Sequence, residues 1–343
     1  MQDIKELNLK ELQDKLIVLK GQKYYALEIF NWIYRKGSYE FSKMSNLPVV
    51  LRKNLADEFY VLGLELAGLE ESSDGTTKFL FALKNKDLVE AVSIPAAHRL
   101  TGCISSQVGC KFACNFCASG LMGFKRNLSR GEILDELLYL KNNVKDAKLT
   151  HVVFMGTGEP LDNYENVLSA IRIINSPFAF NIGARRITIS TCGIIPAIER
   201  LGLEDLQIEL SISLHAPDDL MRSKFMPVNK KYPLAALIKC CREYSAKTNR
   251  QITFEYILIR GINSDLACAQ KLVMLLKDLR LAKVNLIPAN PVLELNIIPP
   301  TVKEINLFKE NLFKAGINVT LRREHGQDID AACGQLRLKY EKN

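Results

Sequence analysis

The spacing of apolar positions changes character along the chain. Up to about residue 60 it follows a helical period: Leu7, Leu9, Leu12, Leu16 and Ile17 fall near one face, and Ala26, Ile29, Phe30, Ile33 and Tyr34 repeat the pattern. This predicts short amphipathic helices in a small N-terminal domain, residues 1–75. Residues 76–105 change to short β-type runs, at 76–83, 88–95 and 99–106, broken by Asp74-Gly75 and by Asn85-Lys86-Asp87. A short β-rich linker is predicted over 76–100.

From about residue 101, strand and helix patterns alternate. Strands are predicted at 103–106, 151–155, 186–190, 208–213, 252–259, 284–288 and 319–322, with helices near 130–143, 165–175, 195–203, 233–246, 264–279 and 301–315. Ser129 and Glu132 open the first helix as a capping box, each side chain satisfying an orphan backbone N–H. Such alternation implies an α/β fold with a parallel sheet covered by helices. Six or so units are fewer than the eight of a closed barrel, so the expectation is a partial (β/α)6 barrel over 101–325 with its site at the C-terminal strand ends, followed by a C-terminal segment, 326–343. No tandem repeat is visible beyond the βα rhythm.

Composition narrows the picture. Of 343 residues, 48% are hydrophobic and 24% charged, which allows a sizeable core and excludes wholesale disorder. The N-terminus is charged from the start and lacks the apolar stretch of a secretory signal, and no run of about 18 apolar residues occurs. The expectation is a cytoplasmic protein without a membrane partner. In that reducing setting the nine cysteines read as metal ligands, catalytic thiols or buried small hydrophobes rather than a disulfide framework. A net charge of +8 favours an anionic partner, although a solvated basic surface accounts for it equally well. Lys20, Lys23, Arg35, Lys36, Lys43, Arg52 and Lys53 are interleaved with Tyr24, Tyr25, Trp32 and Tyr34. That mixture suits RNA, and it equally suits a helical cap whose aromatics are core.

The densest chemistry is Gly109-Cys110-Lys111-Phe112-Ala113-Cys114-Asn115-Phe116-Cys117, three thiols at a CxxxCxxC spacing. An iron–sulfur cube needs a ligand per iron, so three thiolates leave one iron open to a cofactor or substrate. Zinc usually takes four protein ligands from paired units, and His98, His151, His215 and His325 are neither paired nor adjacent to the run, which makes a zinc-stabilised RNA-binding module without catalysis the lesser alternative.

This spacing, with an aromatic before the last cysteine and after the first strand of a β/α series, resembles the radical S-adenosylmethionine (SAM) superfamily. The resemblance implies a radical SAM barrel holding a [4Fe–4S] cluster on Cys110, Cys114 and Cys117. SAM would chelate the open iron and be split to a 5′-deoxyadenosyl radical. Further segments resemble one branch, the RlmN/Cfr RNA methyltransferases: 103–110, Gly156-Thr157-Gly158-Glu159-Pro160-Leu161, 186–191, Ser211-Ile212-Ser213-Leu214-His215-Ala216-Pro217, 285–291 and 328–336. A glycyl-radical activase would need the three-cysteine run but neither Cys103 nor Cys333.

By that resemblance Gly158, Glu159, Ser190, Ser213, Leu214, His215 and Asn290 contact SAM. Cys333 takes a methyl group from one SAM; the radical made from a second SAM abstracts hydrogen from that S-methyl, and the methylene radical adds to an electron-poor adenine carbon. Cys103 resolves the crosslink by pairing with Cys333, and Glu90 accepts the proton. Taken as lone residues, Ser190, His215 and Asn290 read as satisfied packing, Cys103 as a buried strand cysteine, and Glu90 as a solvent-facing strand residue. Cys192, Cys240, Cys241 and Cys268 carry no motif.

The target must be a looped or flipped base, since an adenine carbon is out of reach in a stacked helix. Glu159-Pro160 and Ile94-Pro95 favour the RlmN-like branch, which implies methylation of adenine carbon 2 in 23S rRNA and in tRNA next to the anticodon. A Cfr-like enzyme would methylate carbon 8 of the rRNA adenine. A flavodoxin is the expected electron donor, and a monomer the expected state.

Overall fold

The computed structural model describes residues 1–97, 99–121, 123–144, 148–289, 298–322 and 329. The N-terminal helices are α1 (Leu9–Val18), α2 (Tyr25–Phe30) and α3 (Val49–Glu58), and a π-helical turn at Asn31–Arg35 extends α2. Asn8 and Glu11 close a capping box on α1. Leu12, Leu16, Ala26, Ile29, Phe30, Ile33 and Tyr34 are buried, so most of the periodic stripe is the face that packs, whereas Ile17, predicted on the same face, is exposed. Strand β1 (Gln2–Asp3) pairs in parallel with β2 (Phe59–Tyr60), joining the two ends of this segment.

The chain continues through β3 (Leu64–Glu71), β4 (Thr77–Leu83), β5 (Leu88–Ala96), β6 (Arg99–Ile104) and β7 (Gln107–Gly109), a helical turn α4 (Ala118–Leu121), and β8 (Phe124–Asn127). Then come α5 (Arg130–Asn143), β9 (Leu149–Phe154), α6 (Tyr164–Asn175), β10 (Ile187–Thr191), α7 (Ile195–Leu201) and β11 (Glu209–Ser213). The series ends with α8 (Asp219–Phe225), α9 (Leu234–Thr248), β12 (Ile252–Leu258), α10 (Leu266–Leu276), β13 (Ala282–Pro288), α11 (Val302–Lys314) and β14 (Asn318–Leu321).

Ten strands form one sheet in the order β14-β13-β12-β11-β10-β9-β6-β5-β4-β3. From β6 through β9 to β14 every pairing is parallel and every crossover carries helix, the α/β partial barrel that the alternation predicts. Toward the other edge, β5, β4 and β3 extend the same sheet by antiparallel pairing onto β6. The segment predicted as a linker is thus part of the wall. Strand β3 is not apparent in the sequence pattern, because a register shift between Leu66 and Gly68 interrupts the alternation that would reveal it.

Side-chain direction follows from the helix side. The rings of Phe79 and Phe81 meet Tyr139 of α5 at 5.8 and 4.8 Å between centroids, so Lys78 and Leu80, which alternate with them, face the opposite, concave side. The N-terminal segment docks on α5 through a buried polar knot. Lys5 Nζ lies 2.6 Å from Asp3 and 2.9 Å from Asp135, Arg130 donates to the Lys5 carbonyl at 2.8 Å, and Glu6 accepts the Gly131 N–H at 2.6 Å. Among the described residues no helix is long and apolar enough to cross a membrane.

Candidate active site

The cysteine run occupies the loop after β7. Cys110 donates its N–H to the Gly123 carbonyl at 3.0 Å, and Gly109 must be glycine, since at φ +75° an added Cβ would lie 1.8 Å from that carbonyl oxygen. The loop then turns back through Cys117 N–H to Cys114 carbonyl, 3.0 Å. Burial first, and then the neighbouring thiols, push Cys114 up to about 12; burial likewise pushes Cys110 up to about 12, with Cys117 adding to it.

The turn after β9 is stitched to the start of this loop. Ser106 and Gln107 donate backbone N–H groups to Thr157 at 2.9 and 3.2 Å, Thr157 N–H donates to Ser105 Oγ at 2.8 Å, and Glu159 N–H donates to Gln107 Oε1 at 2.9 Å. Gly158 has φ +103°, and a Cβ there would lie 2.5 Å from Gln107 Cβ. The buried Glu159 carboxylate accepts Cys192 N–H at 2.7 Å and Leu161 N–H at 3.0 Å, tying β10 to the turn. Burial holds Glu159 above the usual carboxylate range, against those hydrogen bonds.

Sheet register assigns the remaining residues to a face. Glu90 pairs across from Leu80, Val92 from Lys78 and from Cys103, and Cys103 from Val153, so Glu90 and Cys103 both look onto the concave side. An added Cβ on Gly102 would meet Leu137 and Leu140 of α5 at 3.2 Å, which confirms that its neighbour Cys103 points the other way. The same face continues through Ser190, Ser211 and Ser213 to Glu255, Asn285 and Thr320. Leu214 and His215 each donate a backbone N–H to the Glu255 carbonyl at the end of β11.

His215 is buried with φ +57°; its Nδ1 accepts the Ile257 N–H at 3.1 Å, which places the ring proton on Nε2, and its ring meets Phe116 of the cysteine loop at 4.7 Å. Burial, with the Arg222 charge, pushes it down to about 3, so it stays neutral. The structure therefore brings the cysteine loop, the Gly158-Glu159 turn and His215 together, with Ser190 and Ser213 on the adjoining wall. Asn290 and Cys333 lie outside the described residues.

Residues 104–267 match the radical SAM superfamily, and residues 2–61 match the ribosomal RNA large subunit methyltransferase N-terminal domain. The chain is 43% identical over 343 residues to the probable dual-specificity RNA methyltransferase RlmN of Thermoanaerobacter sp. (strain X514), covering 100% of this chain and 99% of that protein. It is 42% identical over 344 residues to the protein of the same name from Clostridium novyi (strain NT), covering 100% of both. The chain belongs to the RlmN family of radical SAM RNA methyltransferases. A crystal structure of a radical SAM methyltransferase from Sphaerobacter thermophilus superposes with a TM-score of 0.94 at 40% identity, over 98% of this chain and 99% of that one.

As an RlmN-family enzyme it methylates RNA and uses a [4Fe–4S] cluster and SAM. No three Cys, His, Asp or Glu side chains among the described residues stand close enough to hold a metal ion, these thiols included. The three cysteines nevertheless fit the cluster by type and number. They share one loop, and burial makes the thiolates of Cys110 and Cys114 costly there, a cost that the charge of bound iron offsets.

Several residues of this RlmN-family site carry no sequence signal. Lys78 is buried with Nζ 3.5 Å from Glu90 Oε1. Glu136 is buried behind β6, accepts the Ser105 N–H at 2.8 Å, and is held well above the carboxylate range by burial. Arg222 of α8 is fully buried among the ends of β10 and β11. Only the fold brings these to the motifs.

Proposed function

We propose that this enzyme methylates carbon 2 of an adenine in 23S rRNA, and of the adenine next to the anticodon in tRNA, through an S-methylcysteine intermediate and at the expense of two SAM molecules. The observation that carries the reading is the shared concave face of Glu90 and Cys103. They sit on neighbouring antiparallel strands in a diagonal relation, a spacing of about 7–8 Å. A base placed against that face meets a proton acceptor and a thiol from the same wall.

In this reading Cys110, Cys114 and Cys117 hold the cluster, which when bound supplies the electron that splits SAM. Gly158, Glu159, Ser190, Ser213, Leu214, His215 and Asn290 bind SAM. Glu159 and the Gly158 turn receive its ammonium and carboxylate end, where a buried carboxylate favours a cation. The thiolate of Cys333 takes the methyl group of the first SAM, releasing S-adenosylhomocysteine. The S-methyl group then loses a hydrogen atom to the 5′-deoxyadenosyl fragment of the second SAM, joins the adenine carbon and gives up one electron to the oxidised cluster. Glu90 takes the proton from that adenine carbon, and Cys103 attacks the Cys333 sulfur. The bond from this sulfur to the one-carbon unit breaks toward carbon and the one-carbon unit takes a proton, leaving a methylated base and a Cys103–Cys333 disulfide. A flavodoxin serves as electron donor.

The N-terminal helices present aromatic and cationic groups to RNA. Tyr24 is 60% exposed, and Lys36 Nζ stands 3.5 Å from the centre of the Trp32 ring. The deciding experiment is mass spectrometry of 23S rRNA and tRNA incubated with reconstituted enzyme, reductant and SAM. A new methyl on carbon 2 in both RNAs is expected, and methyl only on carbon 8 overturns the assignment. In Cys333→Ala, methyl transfer should cease while SAM cleavage continues.

A further inference from the structure

Arg222 is the largest fully buried side chain of the chain's described residues, at 0% exposure. Its guanidinium donates from Nη2 to the Cys192 carbonyl at 2.7 Å and the Ser213 carbonyl at 3.1 Å, from Nε to the Leu214 carbonyl at 3.2 Å, and from Nη1 to Asn229 Oδ1 at 2.9 Å. These acceptors are three backbone carbonyls and one amide, all neutral. Asn229 is itself held by Asp219 at 2.9 Å and Ser223 at 2.8 Å, so the fork does not swing. Burying a full positive charge on neutral acceptors is costly, because water solvates the free guanidinium better than carbonyls do. The packing of α8 alone would be served as well by an apolar side chain.

The helix that carries Arg222 also grips the cysteine loop. Asn115, between Cys114 and Cys117, donates its backbone N–H to the Phe225 carbonyl at 2.9 Å and its side-chain amide to the Lys224 carbonyl at 2.6 Å. Phe116 meets Phe225 edge to face at 6.2 Å. One short helix therefore joins the three-thiol loop on one side to the ends of β10 and β11 on the other, and the Arg222 charge acts on the thiols of Cys114 and Cys192.

We propose that Arg222 is the positioning and charge-balancing residue of the cofactor site, clamping the Cys192, Ser213 and Leu214 carbonyls to the helix that holds the cluster loop and setting a fixed cation beside the thiols of that loop. The proposal rests on the reading that Cys110, Cys114 and Cys117 hold the cluster and that Ser213 and Leu214 contact SAM. A guanidinium is suited to this because its planar donors satisfy several carbonyls at once and it stays charged when buried.

The test uses the full-length protein, reconstituted anaerobically with iron and sulfide, as wild type, Arg222→Lys and Arg222→Gln. Three quantities are read: iron content, the cluster's midpoint potential by EPR-monitored redox titration, and the Kd for SAM without RNA. Arg222→Lys loses the planar fork, so SAM binding weakens about tenfold. Arg222→Gln loses the charge as well, so its potential moves to more negative values, because a nearby cation favours the reduced cluster. Wild-type potential and SAM affinity in both variants overturn the proposal.

Should Arg222→Gln fail to fold, Asn115→Ala decides from the loop side. Loss of bound iron or of SAM affinity supports the clamp, and wild-type values for both overturn it. Cys114→Ala separates the two levels of argument. If it still takes up the full cluster, the cysteine reading fails. If it does not, and the Arg222 variants behave as wild type, the clamp alone is wrong.

Discussion

Lys78 and Glu90 face one another on the concave side of β4 and β5, Nζ 3.5 Å from Oε1, with side-chain exposures of 1% and 4%. Their positions are diagonal across an antiparallel pair, since Leu80 opposes Glu90 and Val92 opposes Lys78. The lysine ammonium thus stands beside the carboxylate that the proposed reaction uses as a base.

If Glu90 accepts the proton from the adenine carbon, Glu90→Gln should lower methylated RNA at least about 100-fold, the usual contribution of a positioned base. SAM cleavage should continue, and protein–RNA crosslink should accumulate. Parallel assays of 5′-deoxyadenosine, methylated RNA and crosslinked protein measure this, and unchanged product formation rejects the role.

Lys78→Met leaves Glu90 buried without its cation, a change that typically costs about 3–5 kcal/mol. The double variant Lys78→Met/Glu90→Gln removes both charges and should recover part of that loss. Urea unfolding of the two proteins checks the order, and a double variant less stable than the single would show that the pair is not coupled.

Gly158→Ala asks for an L-residue at φ +103° with its Cβ 2.5 Å from Gln107 Cβ. The strain, on the order of 1–3 kcal/mol, falls on the turn that carries Glu159. The expected result is a cluster of normal iron content with SAM affinity reduced tenfold or more, on the order that such strain implies. A Kd equal to wild type would place SAM elsewhere.

Much of this architecture is legible in the sequence where the signal is local. The predicted helix at 130–143 is α5 to the residue, because Ser129 and Glu132 mark its start and both reciprocal capping bonds form. The strand predicted at 103–106 instead ends at Ile104, since Ser105 is diverted: its N–H goes to Glu136 and its hydroxyl to the Glu90 carbonyl. Strands β7 and β8 escape notice because three and four residues are too few to show alternation. Arg222 and Lys78 escape it for another reason. Their partners lie on other strands, and nothing in a lone Arg of a helix or Lys of a strand announces burial.

The Lys5 knot makes a separate prediction about how the N-terminal segment is held. Lys5→Met strands Asp3 and Asp135 in the interface between β1 and α5 without their cation. The loss should be about 3–5 kcal/mol in urea unfolding, accompanied by faster proteolysis near Leu62-Gly63 and weaker RNA binding. A loss below about 1 kcal/mol, the value of a surface pair, would mean that apolar packing such as Tyr34 against Phe180, 5.4 Å between ring centroids, suffices.

His215 yields the pH dependence. Burial, with Arg222, takes it from 6.5 in the unfolded chain to about 3 in the fold. The folded state therefore binds no proton there at neutral pH, and the unfolded state begins to bind one below 6.5. A depressed value of this kind contributes stability that is fully present above 6.5 and is lost as pH falls toward about 3. The slope is at most about 1.4 kcal/mol per pH unit. Asparagine tolerates the left-handed backbone at this position, and its side-chain oxygen accepts the Ile257 N–H in place of Nδ1. In cluster-free protein, the unfolding free energy of His215→Asn should fall less steeply than that of wild type between pH 6.5 and 5, a window at the upper end of the His215 shift. Equal slopes would mean that the imidazole takes up its proton within the fold, and with it that the packing of Phe116 against His215 opens on acidification.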